Sequence, residues 1–262
     1  LHGWSRFEGE LRSVIEASGP ETLVRNAEWL QRICRQRDRN PERLALCVRL
    51  CRIFVDTLKG LDRKPVADSW RYRQINRTAL LVSAVNAMLA IDAQSPLSGL
   101  IQHVLSSRDR YPLTDTQLAA IFALELRLGK LSKPNEAISI WLAACREALL
   151  SRTTTPPVKP RDYRRAHELS CSCGDCRQLS RFLADPKQRQ VRLPLRKERR
   201  QHVHQIIESN SCDLTHVTER VGTPFTLVCT KTEASYQQAR KIHVRDVNNL
   251  ARIENLVKRL PG

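Results

Sequence analysis

The run His167-Glu168-Leu169-Ser170-Cys171-Ser172-Cys173-Gly174-Asp175-Cys176 puts three thiols within six residues, and His202 and His204 follow about 26 residues later. Thiolates this close repel one another unless a cation or a covalent bridge holds them. Zinc does so naturally, because Cys sulfur and neutral imidazole satisfy its tetrahedral preference. The spacing therefore predicts a structural zinc site at Cys171, Cys173, Cys176 and His202. Gly174-Asp175 permits a tight turn whose backbone N–H groups point at sulfur, and a helix starting at Arg177 would add its positive end. His202 and His204 are two residues apart and diverge on a helix, so at most one of them binds. His204, Cys212 and Cys229 stay open as alternatives for the fourth position.

Cys173-Gly174-Asp175-Cys176 is also a C-x-x-C at a helix start, a pattern that lowers the first thiol's pKa and serves thiol oxidoreductases. Gly222-Thr223-Pro224 before a strand is similar to the thioredoxin layout. The βαβ frame of that fold is missing, however, and the extra Cys171 argues for ligation. The chain has no Gly-x-Ser-x-Gly elbow, no Gly-x-x-x-x-Gly-Lys loop and no His-x-Asp pair for a two-His-one-carboxylate iron site. Asp213 with His216, and His243 with Asp246, have helical spacing and read as surface pairs. The expectation is a non-catalytic interaction or scaffold region, with no catalytic residue in these 262 residues.

The formal net charge is +17, unevenly placed: residues 1–150 carry 22 Lys/Arg against 16 Asp/Glu, and residues 151–262 carry 22 against 11. Such a field suits a protein or polyanionic partner, including nucleic acid. In Arg177–Arg200, nine cations face two acidic residues. Phe182 is the one aromatic there and reads as core, so any nucleic-acid binding would lack sequence specificity. No apolar run approaches the ~18 residues a membrane span needs. Nine cysteines is an odd count, and Cys34, Cys47, Cys51 and Cys145 fall in apolar helical patterns. Buried free thiols point to a reducing, intracellular compartment, cytoplasm or nucleus. The first residue is Leu, which suggests a piece of a longer protein or a processed form.

Aromatics are 5% of the chain, and Leu, Ala, Ile and Val supply its apolar mass, a balance that favours helices. The pattern predicts a mostly α protein: an irregular helical array over 1–150, a linker at 151–160, and a small zinc-stabilised α+β module over 161–262 ending in a long helix. In the array, helices are predicted at Thr22–Arg35, Glu42–Leu58 behind an Asn40-Pro41 cap, Arg73–Ile91, a short one after Ser95-Pro96, Leu118–Leu128 behind a Thr114-x-x-Gln117 capping box, and Glu136–Leu150. Unevenly spaced prolines argue against a fixed repeat. The module is predicted to hold helices at Arg177–Leu183 and Leu195–Ser209, strands at Val191–Leu193 and Thr223–Thr232, and a helix over Glu233–Leu260. The last has an apolar stripe of Val247, Leu250, Ile253, Val257 and Leu260.

The run Cys171-Ser-Cys173-Gly-Asp-Cys176-Arg-Gln-Leu179-Ser-Arg-Phe182-Leu183, then Arg199-Arg-Gln-His202-Val and Thr218-Glu-Arg220-Val-Gly222-Thr-Pro224-Phe-Thr-Leu227-Val-Cys-Thr-Lys231, resembles the C-terminal region of large, mostly uncharacterised fungal-type proteins. Several of those carry a separate 2-oxoglutarate/iron(II) dioxygenase domain near the N-terminus. The resemblance covers about residues 165–245 and favours His202 as the metal histidine. It implies an alternative role, as an accessory region of a dioxygenase whose catalytic domain lies outside this chain, and it assigns no catalytic residue here.

Overall fold

The computed structural model describes residues 4–38, 40–63, 72, 74–165 and 167–261. Asn40 and Pro41 open the longest helix of the array as their chemistry dictates. The Asn40 Oδ1 accepts from the backbone N–H of Glu42 at 2.9 Å and of Arg43 at 3.4 Å, while Pro41 occupies the first helical position. After a 3-10 turn at Trp4–Phe7, the array runs α1 Glu8–Glu16, α2 Leu23–Cys34, α3 Pro41–Arg63, α4 Arg77–Ala90, α5 Gln94–Ser106, α6 Ala119–Leu128 and α7 Glu136–Thr153. Asn76 caps α4 and Asn135 caps α7, each accepting from a backbone N–H three residues on. The predicted start of α4 at Arg73 lies outside the described residues.

Two local expectations are corrected. The predicted capping box does not form. Leu113–Leu118 is a π turn leading into α6, and Gln117 points into the core, where it donates to the Tyr111 carbonyl at 2.8 Å and accepts from Trp141 Nε1 at 3.0 Å. A buried indole N–H needs an acceptor, and that demand outweighs a cap at the surface. Secondly, α3 continues five residues past Leu58, because Gly60 alone does not stop a helix whose Leu61 is buried.

The array's core holds Phe54, Leu58, Leu81, Val85, Leu124 and Trp141, all essentially inaccessible to solvent. Two charges are buried with it. Arg43 is fully buried and donates to the carbonyls of Ile33 (2.8 Å), Gln36 (3.2 Å) and Asp38, closing the C-terminal end of α2. Asp62 accepts from Tyr111 Oη at 2.7 Å, lies 2.9 Å from His103 Nε2, and is ion-paired with Arg77, whose Nη1 is 3.3 Å from Oδ1, partners from three separate stretches of chain.

The chain separates into two units, one of Leu1–Ser151 with Asn248–Gly262, the other Arg152–Val247. The expected 151–160 linker therefore begins late: α7 continues to Thr153, since Ser and Thr cost only tenths of a kcal/mol in a helix (roughly 0.5) and the first true breaker is Pro156. The expected 161–262 module also ends early. The last helix, α10 (Ala234–Val257), starts in the second unit and finishes in the first, where Ile253 and Leu256 join the array's core. Within the predicted stripe, Val247 and Val257 are instead exposed, because the 3.6-residue period carries Asp246, Leu250, Ile253 and Leu256 inward.

The second unit is a small α+β module of α8 (Gly174–Ala184), β1 (Gln190–Pro194), α9 (Lys197–Ser209), β2 (Leu214–Glu219) and β3 (Thr226–Lys231). The mostly helical fold with a small antiparallel sheet is as the composition predicted. The strands form an antiparallel sheet in the order β1-β3-β2, with Val191 opposite Cys229 and Cys229 opposite His216. The face bearing Leu193, Leu227 and Cys229 packs in one core with Leu179, Phe182, Leu183, Val203 and Ile207 of α8 and α9. Alternate residues, Arg192, Thr215 and Val217, face solvent. Strand β2 was not anticipated. Its Leu-Thr-His-Val-Thr-Glu run is short and only two of its six residues are apolar, and pairing with β3 along its whole length is what fixes it.

Candidate metal centre

Helix α8 starts at Gly174, so Cys173 is its extended N-cap residue and Cys176 sits in its first turn, fully buried against the module's core. Cys171 is half-buried in the preceding loop. Helix α9 brings His202 to the same point. Its Nε2 lies 3.3 Å from Cys176 Sγ and 3.6 Å from Cys173 Sγ. One ligand atom from each of Cys171, Cys173, Cys176 and His202 falls within 4.8 Å of all the others, a set that could hold a metal ion. With metal–sulfur bonds of about 2.3 Å and metal–nitrogen bonds of about 2.0 Å, neighbouring donors in a tetrahedron sit roughly 3.5–3.8 Å apart. The two nitrogen–sulfur separations, 3.3 and 3.6 Å, are close to that size.

Two contacts on α9 flank His202 and fix the cysteine loop from both sides. Asp175, buried between Cys173 and Cys176 in the chain, forms a two-pronged ion pair with Arg199, its Oδ2 accepting from Arg199 Nε at 2.8 Å. At the other end of the helix, Asn210 accepts from the Ser170 backbone N–H at 3.2 Å and donates to the Ser170 hydroxyl at 3.2 Å. Arg199 is one turn before His202 and Asn210 two turns after it. The loop is thereby registered on the helix that carries its imidazole. The four clustered residues are legible in the sequence but neither clamp is, because a lone Asp–Arg pair 24 residues apart has no periodic signature.

The thiols are electrostatically unequal. Hydrogen bonds from the Cys176 backbone N–H and from the neighbouring thiols and His202 pull the exposed Cys173 down to about 6. Burial, reinforced by the adjacent sulfurs of Cys173 and Cys171, pushes Cys176 up to about 12. A bound cation would reverse the second effect, since a coordinated thiol is deprotonated outright.

The alternative fourth ligands go elsewhere. His204 points to the sheet, with Nε2 3.3 Å from Thr218 Oγ1 and its ring 4.5 Å from that of His216. Cys212 and Cys229 are buried in the module's core, where burial raises both thiols. Cys34, Cys47, Cys51 and Cys145 are buried free thiols of the array. Neither predicted surface pair forms. Asp213 accepts from Ser235, and Asp246 is buried beside Arg245 and Arg152. Among the described residues no other cluster could ligate a metal, and no helix is long and apolar enough to cross a membrane.

The chain matches no family model, no curated protein and no solved structure.

Proposed function

We propose that Arg152–Val247 is a non-catalytic interaction module folded around one structural zinc ion, and that its partner is a polyanion. The convergence of Cys171, Cys173, Cys176 and His202 carries the zinc half of this reading. Three sulfurs and an imidazole are a borderline-soft donor set suited to zinc, and four protein ligands leave no open position for a water or substrate. The module also has reason to need the ion. Its core comprises twelve buried apolar side chains, and small cores are commonly supplemented by a metal.

The charge carries the partner. Residues 152–247 hold 19 Lys/Arg against 10 Asp/Glu. Asp175, Glu219, Glu233 and Asp246 are already engaged by Arg199, Arg192, Lys159 and the Arg152/Arg245 pair. Exposed Arg177, Arg181, Arg196 and Arg220 then set up a positive field with little local compensation. A second reading, a thiol oxidoreductase at Cys173/Cys176, is favoured by the exposed, depressed Cys173 thiol. An accessory role beside a dioxygenase domain rests on the sequence resemblance alone.

Elemental analysis of the purified chain separates the first two: the expected result is one zinc per chain, with Cys173 and Cys176 protected from alkylation until a chelator is added. A metal-free protein whose two thiols cycle with a dithiol reductant would overturn zinc in favour of redox chemistry. The clamp supplies a finer test. Arg199→Ala leaves all four ligands in place yet is expected to weaken zinc binding by roughly 10- to 100-fold, as loss of an outer partner does. Competition against a chromophoric chelator measures it. Arg181→Ala, on the exposed side of α8, is expected to leave zinc affinity unchanged.

A further inference from the structure

The end of the sheet where β1 leaves and β3 enters gathers charge around an exposed ring. The Leu195 backbone N–H donates to the Phe225 carbonyl at 3.1 Å, which sets Arg196 beside Phe225. Helix α9 then returns Arg200 over the Phe225 ring, 5.4 Å from its centroid, while Arg200 Nη1 donates to the Leu195 carbonyl at 3.0 Å. On the other side, Glu219 is the partner of Thr226, so the next residue out, Arg220, comes level with Phe225. Arg192 of β1 is paired with Glu219 across the sheet. Of these cations, Arg196 and Arg220 are exposed and have no acidic partner among the described residues. Phe225 is 37% exposed and the neighbouring Val221 83% exposed.

A phenyl ring open on one side and backed by a guanidinium is a stacking surface, and free arginines around it are phosphate contacts. An acidic peptide would use the charges but leave the ring and Val221 without a role. A duplex offers no unstacked base to the ring. We propose that this end of the sheet binds single-stranded nucleic acid, with a base stacked on Phe225 and the backbone held by Arg196 and Arg220. The proposal rests on the polyanion reading above and narrows it to one surface and one class of ligand. The stacking is indifferent to base identity, so it predicts affinity without sequence readout.

The test uses the full chain, a fluorescent short oligouridylate, a duplex RNA of equal length and polyglutamate as competitor. The expected result is tighter binding to the single strand than to the duplex, with log affinity falling linearly against log salt. Phe225→Ala and Phe225→Leu are both expected to weaken single-strand binding roughly tenfold, the leucine variant retaining apolar bulk while losing the ring. Arg196→Gln with Arg220→Gln is expected to reduce the salt slope by about 1.4, two phosphates at ~0.7 each. Circular dichroism of each variant confirms folding. Wild-type affinity in both Phe225 variants, or polyglutamate competing as well as unlabelled oligouridylate, would overturn this assignment while leaving a polyanion partner. Absence of binding to every polyanion at low salt would remove the polyanion reading itself.

Discussion

Replacing Cys176 by serine is expected to abolish zinc retention and to unfold the sheet of the Arg152–Val247 module. Structural zinc contributes roughly 10–16 kcal/mol of apparent binding energy in small folds, comparable to the whole ~5–15 kcal/mol stability of a typical domain. Cys176 adds a second loss, because its side chain is fully buried in the module's core, where a serine hydroxyl would need a partner. Cys173→Ser should be milder. Cys173 is exposed at the N-cap of α8, where serine can cap the helix for about 1 kcal/mol. Hydrogen exchange read on the amides of Thr226–Lys231 is the direct measurement. Protection lost in Cys176→Ser, reduced in Cys173→Ser and lost in wild type on chelation is the expected order. Full protection in Cys176→Ser with zinc still bound would sink the proposed ligand set.

What could be read beforehand follows from where the physical signal is local. Helix α2 announces itself through an apolar stripe, and α3 and α7 through a stripe and an Asn cap one residue before the start, Asn40 and Asn135, features that lie within a turn or two of sequence. The cysteine cluster is equally local, and its spacing alone brought three of the four donors together. The fourth was harder. His202 and His204 are equivalent in sequence, and only the packing of α9 on α8 and the sheet turns one to the sulfurs and the other to Thr218. Strand β2 and the placement of Phe225 were hidden for the same reason, since both depend on partners more than one turn away. Phe182 is core, as the apolar pattern of its helix predicts, and it is Phe225, outside the basic segment, that stands exposed beneath an arginine. The long C-terminal helix shows the opposite failure: its sequence repeats at 3 and 4 allow two adjacent stripes, and Asp246 rather than Val247 turned inward because Arg152 and Arg245 meet its charge.

In the helical array the largest effect is expected at Asp62, whose carboxylate is buried among Tyr111, His103 and Arg77. Asp62→Ala removes the acceptor and leaves a guanidinium, an imidazole and a phenol facing a void, and breaking a buried charged group in this way costs roughly 3–5 kcal/mol. Asp62→Asn keeps the volume and can still accept from Tyr111, so its cost should be smaller. The two variants also separate charge from packing through pH. Burial alone would raise the Asp62 pKa, but the hydrogen bonds from His103 and Tyr111 together with the Arg77 charge outweigh it and hold the carboxyl below its ordinary value. A carboxyl depressed on folding contributes stability above its unfolded pKa of about 3.9, and that contribution drains away as pH falls through the folded value. Wild type is therefore expected to lose stability on acidification below about pH 4 faster than Asp62→Asn, which has no proton to take up there. Urea denaturation followed at neutral pH and through the acid range reads both effects. A gap between wild type and Asp62→Asn that stays constant down the acid range would mean the carboxylate acts through shape alone, and its charge would drop out of the account of how the array is held.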